Sequence, residues 1–218
     1  MREQLFFEGP ELKRRLSGFW LLLVLAAVIA SAGVVADSTA TVIGAMIVAP
    51  LMTPILGTVL AIVLADRANL LRCVALVVAG AAAVIAVGWV LGLLVDLPVV
   101  AATNGQVAGR VTPRLVDLVA ALATGAVGSV ALARDDISDT LPGVAIAISL
   151  VPPLAVVGLT LESGAGDQAL GALLLFLTNV CAILGTGLVV MAVYRGRSGR
   201  RSPPTALDAR FTAAGPWR

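Results

Sequence analysis

Long apolar runs, each closed by a charged or glycine- and proline-rich break, set the pattern of the chain. The first covers 19–36 and stops at Asp37; the second, 40–65, is closed by Asp66 and Arg67; the third, 70–95, ends before Asp96 and Pro98. A more polar stretch, 97–114, carries Asn104, Gly105, Arg110, Pro113 and Arg114. Three further runs occupy 115–133, 140–161 and 169–194. Arg134, Asp135 and Asp136 separate the first two of these; a short loop with Glu162, Gly164, Gly166 and Asp167 precedes the last. A helix rises about 1.5 Å per residue and the hydrocarbon core of a bilayer is about 30 Å thick, so each run is about long enough to cross. The pattern predicts an all-α integral membrane protein.

The two halves match each other. At an offset of 99 positions Asp37 falls on Asp136, Thr41 on Thr140, Gly44 on Gly143, Leu51 on Leu150 and Pro54 on Pro153. Alanine and leucine coincidences are cheap in so apolar a chain; aspartate, threonine, glycine and proline at one fixed offset are not. Two three-helix repeats follow, 19–96 and 115–194, joined by the external loop 97–114 and flanked by a cytoplasmic segment 1–18 and a cytoplasmic tail 195–218, the latter expected to be disordered. If every run crosses, the second repeat enters from the opposite side and the halves are inverted, a recurring transporter plan.

The charges favour that arrangement. Six crossings put Lys13, Arg14, Arg15, Arg67, Arg72, Arg134 and the tail arginines inside, and leave Arg110 and Arg114 outside, as the positive-inside rule asks. Were the two proline-bearing runs re-entrant hairpins, four crossings would remain and the bias would weaken without changing sign. Ala30, Ser31 and Ala32 resemble a signal-peptide cleavage site, but the apolar run continues past them and has a counterpart in the second half.

The stretch 44–57, GAMIVAPLMTPILG, holds Pro50 and Pro54 near the middle of the second run, and Pro152 and Pro153 lie near the middle of the fifth. Proline removes a donor and clashes with the carbonyl four residues back. Broken backbone at membrane depth needs protein or a wet cavity to satisfy it. The second and fifth helices are therefore expected to be proline-broken, either as kinks that serve packing or as discontinuous helices whose ends face a solute or ion site.

Composition agrees: 59% of the residues are hydrophobic and 13% charged, with a mean hydropathy of +1.02. A soluble domain carries about 25% charged residues. Two cysteines without a histidine cannot make a usual zinc site. A net charge of +2 gives no nucleic-acid footprint. No Walker loop, HExxH or GxSxG occurs, so no catalytic residue, metal or cofactor is expected and the chain is read as a non-enzyme.

The candidate solute- or ion-binding residues are Asp37, Ser38, Thr41, Pro50, Thr53 and Pro54 in the first half, and Asp136, Asp139, Thr140, Ser149, Pro152, Pro153 and Asn179 in the second. Each aspartate can equally cap the helix it introduces, with Ser38 or Ser138 beside it. Asn179 can bond across helices or line a cavity. Gly88 and Gly92 form a GxxxG for internal packing or subunit contact.

The segment 38–57, STATVIGAMIVAPLMTPILG, resembles the hallmark of a bacterial family of hydrophobic membrane proteins catalogued as domain of unknown function 389, and 141–155, LPGVAIAISLVPPLA, is similar to the same family. The likeness covers about 19–194 and implies a membrane protein without supplying a substrate. The expected function is passage of a small solute or ion between the two repeats; the alternative is a non-transporting scaffold or lipid-binding protein. The setting is a bacterial inner (plasma) membrane, crossed several times with both termini cytoplasmic. Partners are the lipid bilayer and further copies of the chain, as a dimer or trimer.

Overall fold

The computed structural model describes residues 12–133 and 150–198, and all regular structure among them is helical. In chain order the helices are α1 (Leu12–Val35), α2 (Thr39–Val48), α3 (Met52–Leu64), α4 (Arg67–Gly92), α5 (Gly105–Ala108), α6 (Leu115–Ala133), α7 (Val151–Glu162) and α8 (Gly166–Ser198). Helices α1, α4 and the Gly166–Tyr194 part of α8 are long and apolar enough to cross a membrane, and α2 with α3 makes a fourth span if the bent pair counts as one. Leu21, Leu71, Val78 and Val189 on these helices are each more than 60% exposed. Side chains of that size standing free along whole helices suit lipid and not water. The protein is membrane-embedded.

Tight turns join the helices of each half. After α1 the Ser38 N–H donates to the Gly33 carbonyl (2.8 Å) and the Asp37 N–H to that of Val34 (3.0 Å), with Asp37 left-handed at φ 48°. This is the Schellman arrangement, which satisfies the last carbonyls of a helix. The same pattern closes α3, where Ala65 sits at φ 56° and the Asp66 N–H reaches the Ala61 carbonyl at 2.9 Å. It closes α7 as well, with Gly164 at φ 74°. Ser38 and Asp66 then cap the helices that follow, accepting from the Thr41 and Asn69 amides. Asp37 therefore ends α1, and Ser38 is the residue that caps α2.

Helix α2 stops at Val48, and α3 begins at Met52, bent 46° from it. Pro50 lies in the gap and Pro54 in the first turn of α3, where an amide would have no helical partner. The Pro50 carbonyl instead accepts from the Thr53 N–H at 3.3 Å. Pro152 and Pro153 occupy the first turn of α7, where the missing N–H groups cost no helical bond. Both prolines thus stand at a helix start. The chain before Leu150, including Asp136, Ser138, Asp139, Thr140, Gly143 and Ser149, lies outside the described residues.

Helix α7 is the axis of the bundle. Every residue from 151 to 160 is buried, against α4, α8 and α1. Gly88 and Gly158 let α4 and α7 touch backbone to backbone: a Cβ on Gly88 would stand 2.7 Å from the Ala155 carbonyl oxygen. The GxxxG of α4 thus serves packing inside the bundle. Leu51, Met52 and Ile55 from the first proline segment and Leu150, Val151 and Leu154 from the second belong to one apolar cluster with Leu23, Val84 and Phe176. At about 1.5–3 kcal/mol for each fully buried large apolar side chain, this cluster is what draws the two halves together.

Side-chain bonds fix which helix ends share a face. The Asn104 Nδ2 donates to the Val34 carbonyl at the end of α1 (2.6 Å), the Val99 N–H to Ser163 Oγ just after α7 (2.9 Å), and the Ala101 N–H to Gln168 Oε1 at the start of α8 (2.9 Å). The connection 97–114 therefore lies over the ends of α1, α4 and α7 and the starts of α6 and α8, here called the loop face. The turn between α3 and α4 falls on the opposite face. Were α2 and α3 a hairpin returning to the loop face, α4 would begin there and end opposite; it does the reverse.

A polar cavity at the loop face

The residues that build a polar site come from the connection between the halves. Asn104 caps α5 by accepting from the Val107 N–H (3.0 Å) while its Nδ2 holds α1, so both ends of a buried amide are used. That fixes Gln106, also buried. Its N–H donates to Asp37 Oδ1 and its Nε2 to Thr39 Oγ1, both at 2.8 Å. Its main-chain carbonyl and its Oε1 both accept from Arg110 Nη1, again at 2.8 Å. A chain of bonds thus runs from Asp37 through Gln106 to the Arg110 guanidinium.

Arg110 lines a cavity of about 330 Å³. Thr39 enters the wall from α2, Gln106 and Arg110 from the connection, Asp117 and Ala121 from α6, and Asn179 from α8. The cavity therefore lies between the first half and the second. Gly171 seats the connection on α8: a Cβ there would collide with the Val111 carbonyl. Asn179 stands two helical turns, about 12 Å, further along α8 and forms the floor of the cavity.

Two arginines and one aspartate give the lining a net positive charge. Arg114 and Asp117 are an i, i+3 pair at 3.3 Å, and Asp117 Oδ2 also accepts from the Arg114 N–H (3.0 Å), tying off the start of α6. With the Arg114 side chain 62% exposed, that pair is worth at most about 1 kcal/mol. Arg110 is different. Burial lowers its guanidinium from the ordinary value, and the Asp117 carboxylate opposes the shift. Its Nε is buried and has no hydrogen-bond partner among the described residues.

The structure distributes the sequence-predicted residues over two depths. Asp37, Ser38 and Thr41 gather at the loop face, with the Ser38 and Thr41 hydroxyls 3.0 Å apart. Asp37 reaches the cavity only through Gln106. Asn179 lines the cavity directly. Pro50, Thr53, Pro54, Pro152 and Pro153 lie deeper, around the apolar cluster. Asp136, Asp139, Thr140 and Ser149 lie outside the described residues. The sequence reading missed Gln106 as a site residue and used Arg110 only to orient the chain. The available signal was three polar residues, Asn104, Gln106 and Arg110, within seven positions of a connection too short to need them for solubility.

The sequence profile described as domain of unknown function (DUF389) matches residues 46–184. The uncharacterized protein MJ0678 of Methanocaldococcus jannaschii is 34% identical over 194 residues, covering 89% of this chain. The chain spans 59% of the length of that curated relative. Its source is an archaeon, so the likeness is not confined to bacteria. No solved structure matches the chain.

Proposed function

Because the chain belongs to the DUF389 family, whose description assigns no activity, we propose a function from its own geometry: passage of a small solute or ion between the two halves, with the loop-face cavity as vestibule. The observation that carries this is the composition of the cavity wall, where Thr39 of the first half and Asn179 and Asp117 of the second bring polar groups to one partly apolar space. Polar groups at a junction between bundles are where membrane proteins place solute sites. The order of helix directions supports two inverted repeats: α1, α2 with α3, and α4 alternate toward and away from the loop face, while α6 starts and α7 ends there. The gap at Pro50 and the helix start beside Pro152 support a pair of interruptions, one in each half. By the positive-inside rule the loop face is external and both termini are cytoplasmic.

A specific feature favours the rival reading, a lipid-binding or scaffold protein. A groove of about 410 Å³ between α3, α4 and α8 is lined by apolar side chains such as Ile55, Val77, Ile85, Phe176 and Val180. Flux measurements in proteoliposomes, over a panel of inorganic ions and small metabolites, separate the two. Passage by the wild type and its loss in Asn179→Leu, which keeps the number of side-chain heavy atoms but removes the amide from the cavity floor, is the expected result. Wild-type flux equal to that of empty liposomes across the panel would leave the lipid-binding reading standing.

A further inference from the structure

Building on the vestibule reading, we infer that the cavity takes an oxyanion, a phosphate or carboxylate group, on the Arg110 guanidinium. A guanidinium offers five N–H donors in a rigid planar fork. Here Nη1 is spent twice on Gln106, and Gln106 is itself held by Asp37 and Thr39. The fork is thereby fixed in orientation from one side. Nε, on the other edge, is buried and unpartnered among the described residues. The Nε edge is one that pairs carboxylates and phosphates with two parallel bonds. An unmet donor on a buried charged group is costly, and here no carbonyl among the described residues relieves it. Asp117, the lining carboxylate, is paired with Arg114 and makes no hydrogen bond to Arg110, on which it bears only through space. A single fixed cation, flanked by a second at Arg114 and by the Thr39 and Asn179 side chains, suits a monoanionic or dianionic head group rather than a cation.

The same chemistry can arrive as a free anion or as the phosphodiester of a lipid, and the test separates them. The full chain is purified in a phosphate-free maltoside detergent. It is titrated calorimetrically at constant ionic strength with inorganic phosphate, with acetate, with a short-chain phosphatidylglycerol and with chloride as reference. Saturable binding of at least one oxyanion, with chloride inert, is expected. Arg110→Lys keeps the charge but not the fork and should weaken the Kd about tenfold or more; Arg114→Gln should weaken it less. Binding of phosphate or acetate identifies a soluble ligand, and binding of phosphatidylglycerol alone identifies a head group; either supports the site. A second measurement needs no variant: phenylglyoxal modification of Arg110, read by mass spectrometry, should be slowed by the bound oxyanion and not by chloride. Chloride equal to every oxyanion, or an Arg110→Lys affinity equal to wild type in a protein that still elutes as the native species, would overturn the inference. Binding is read here without a gradient. Absent binding with intact flux removes the oxyanion alone, and absent flux with intact binding removes only passage.

Discussion

Replacing Gly158 by alanine tests whether the bundle is organised around the contact between α4 and α7. A Cβ at this position would fall 2.7 Å from the Trp89 nitrogen and 2.9 Å from the Gly88 carbonyl carbon, and closer still to the Ile85 carbonyl oxygen. Non-bonded carbon atoms are comfortable at about 3.5–4.0 Å. The two helices would have to part by roughly 0.6 Å or more along the contact, and every atom involved is backbone, so no side chain can turn away. Overpacking of this kind costs about 1–3 kcal/mol. The cost should be at the upper end, because α7 is buried on all sides and cannot retreat into lipid. Gly44 supplies the control. It lies in α2 with nothing within 4 Å of its added Cβ, so Gly44→Ala should gain about 0.5–1 kcal/mol from helix propensity alone. Unfolding in mixed detergent micelles, followed by circular dichroism against denaturant fraction, should move the two variants in opposite directions. Equal midpoints for Gly44→Ala and Gly158→Ala would refute the reasoning, since identical chemistry would then be blind to the packing difference.

Two further outcomes follow from the turns and from the course of the chain. Ala65 holds a left-handed conformation that costs an L-residue roughly 1–2 kcal/mol, so Ala65→Gly, despite its looser unfolded chain, should raise stability by up to about 1 kcal/mol in the same assay. A cysteine at Arg67, in a background with Cys181 changed to serine, should react only with reagents that permeate the membrane, while one at Ala102 should react with impermeant reagents; the reversed pattern would place the loop face inside.

Much of the fold was legible because bilayer physics is local. Run length, the charge at each run's end, and two prolines inside one run are enough to set out α1, the interrupted α2–α3 pair and α4 in order. The aspartates were harder. Asp37 reads as a cap because it precedes a helix, yet it occupies the left-handed position that ends α1 and leaves the cap to Ser38. Its carboxylate serves a residue 69 positions away. That long-range partner has no local signature. The proline segments pointed to a polar space between themselves; the described residues packed there include Leu51, Ile55, Val151 and Leu154, and Ser149 lies outside the described residues. Prolines in the first turn of a helix replace amides that would have had no helical partner, so their presence there does not by itself call for a polar space. The polar cavity formed instead where Gln106 bridges both halves. Contacts of that kind depend on helix ends meeting, and no period in the sequence encodes the meeting.

The wall that carries Gln106 and Arg110 belongs to the connection between the halves, and that connection occurs once in the chain. Whatever symmetry relates the halves, it cannot copy this wall onto the other side. The two sides of the membrane therefore meet chemically different molecules: one presents a fixed guanidinium, the other the clipped turn at Ala65 and Asp66. For the passage proposed above, entry from the two faces would be chemically unequal, and flux measured in the two directions should differ.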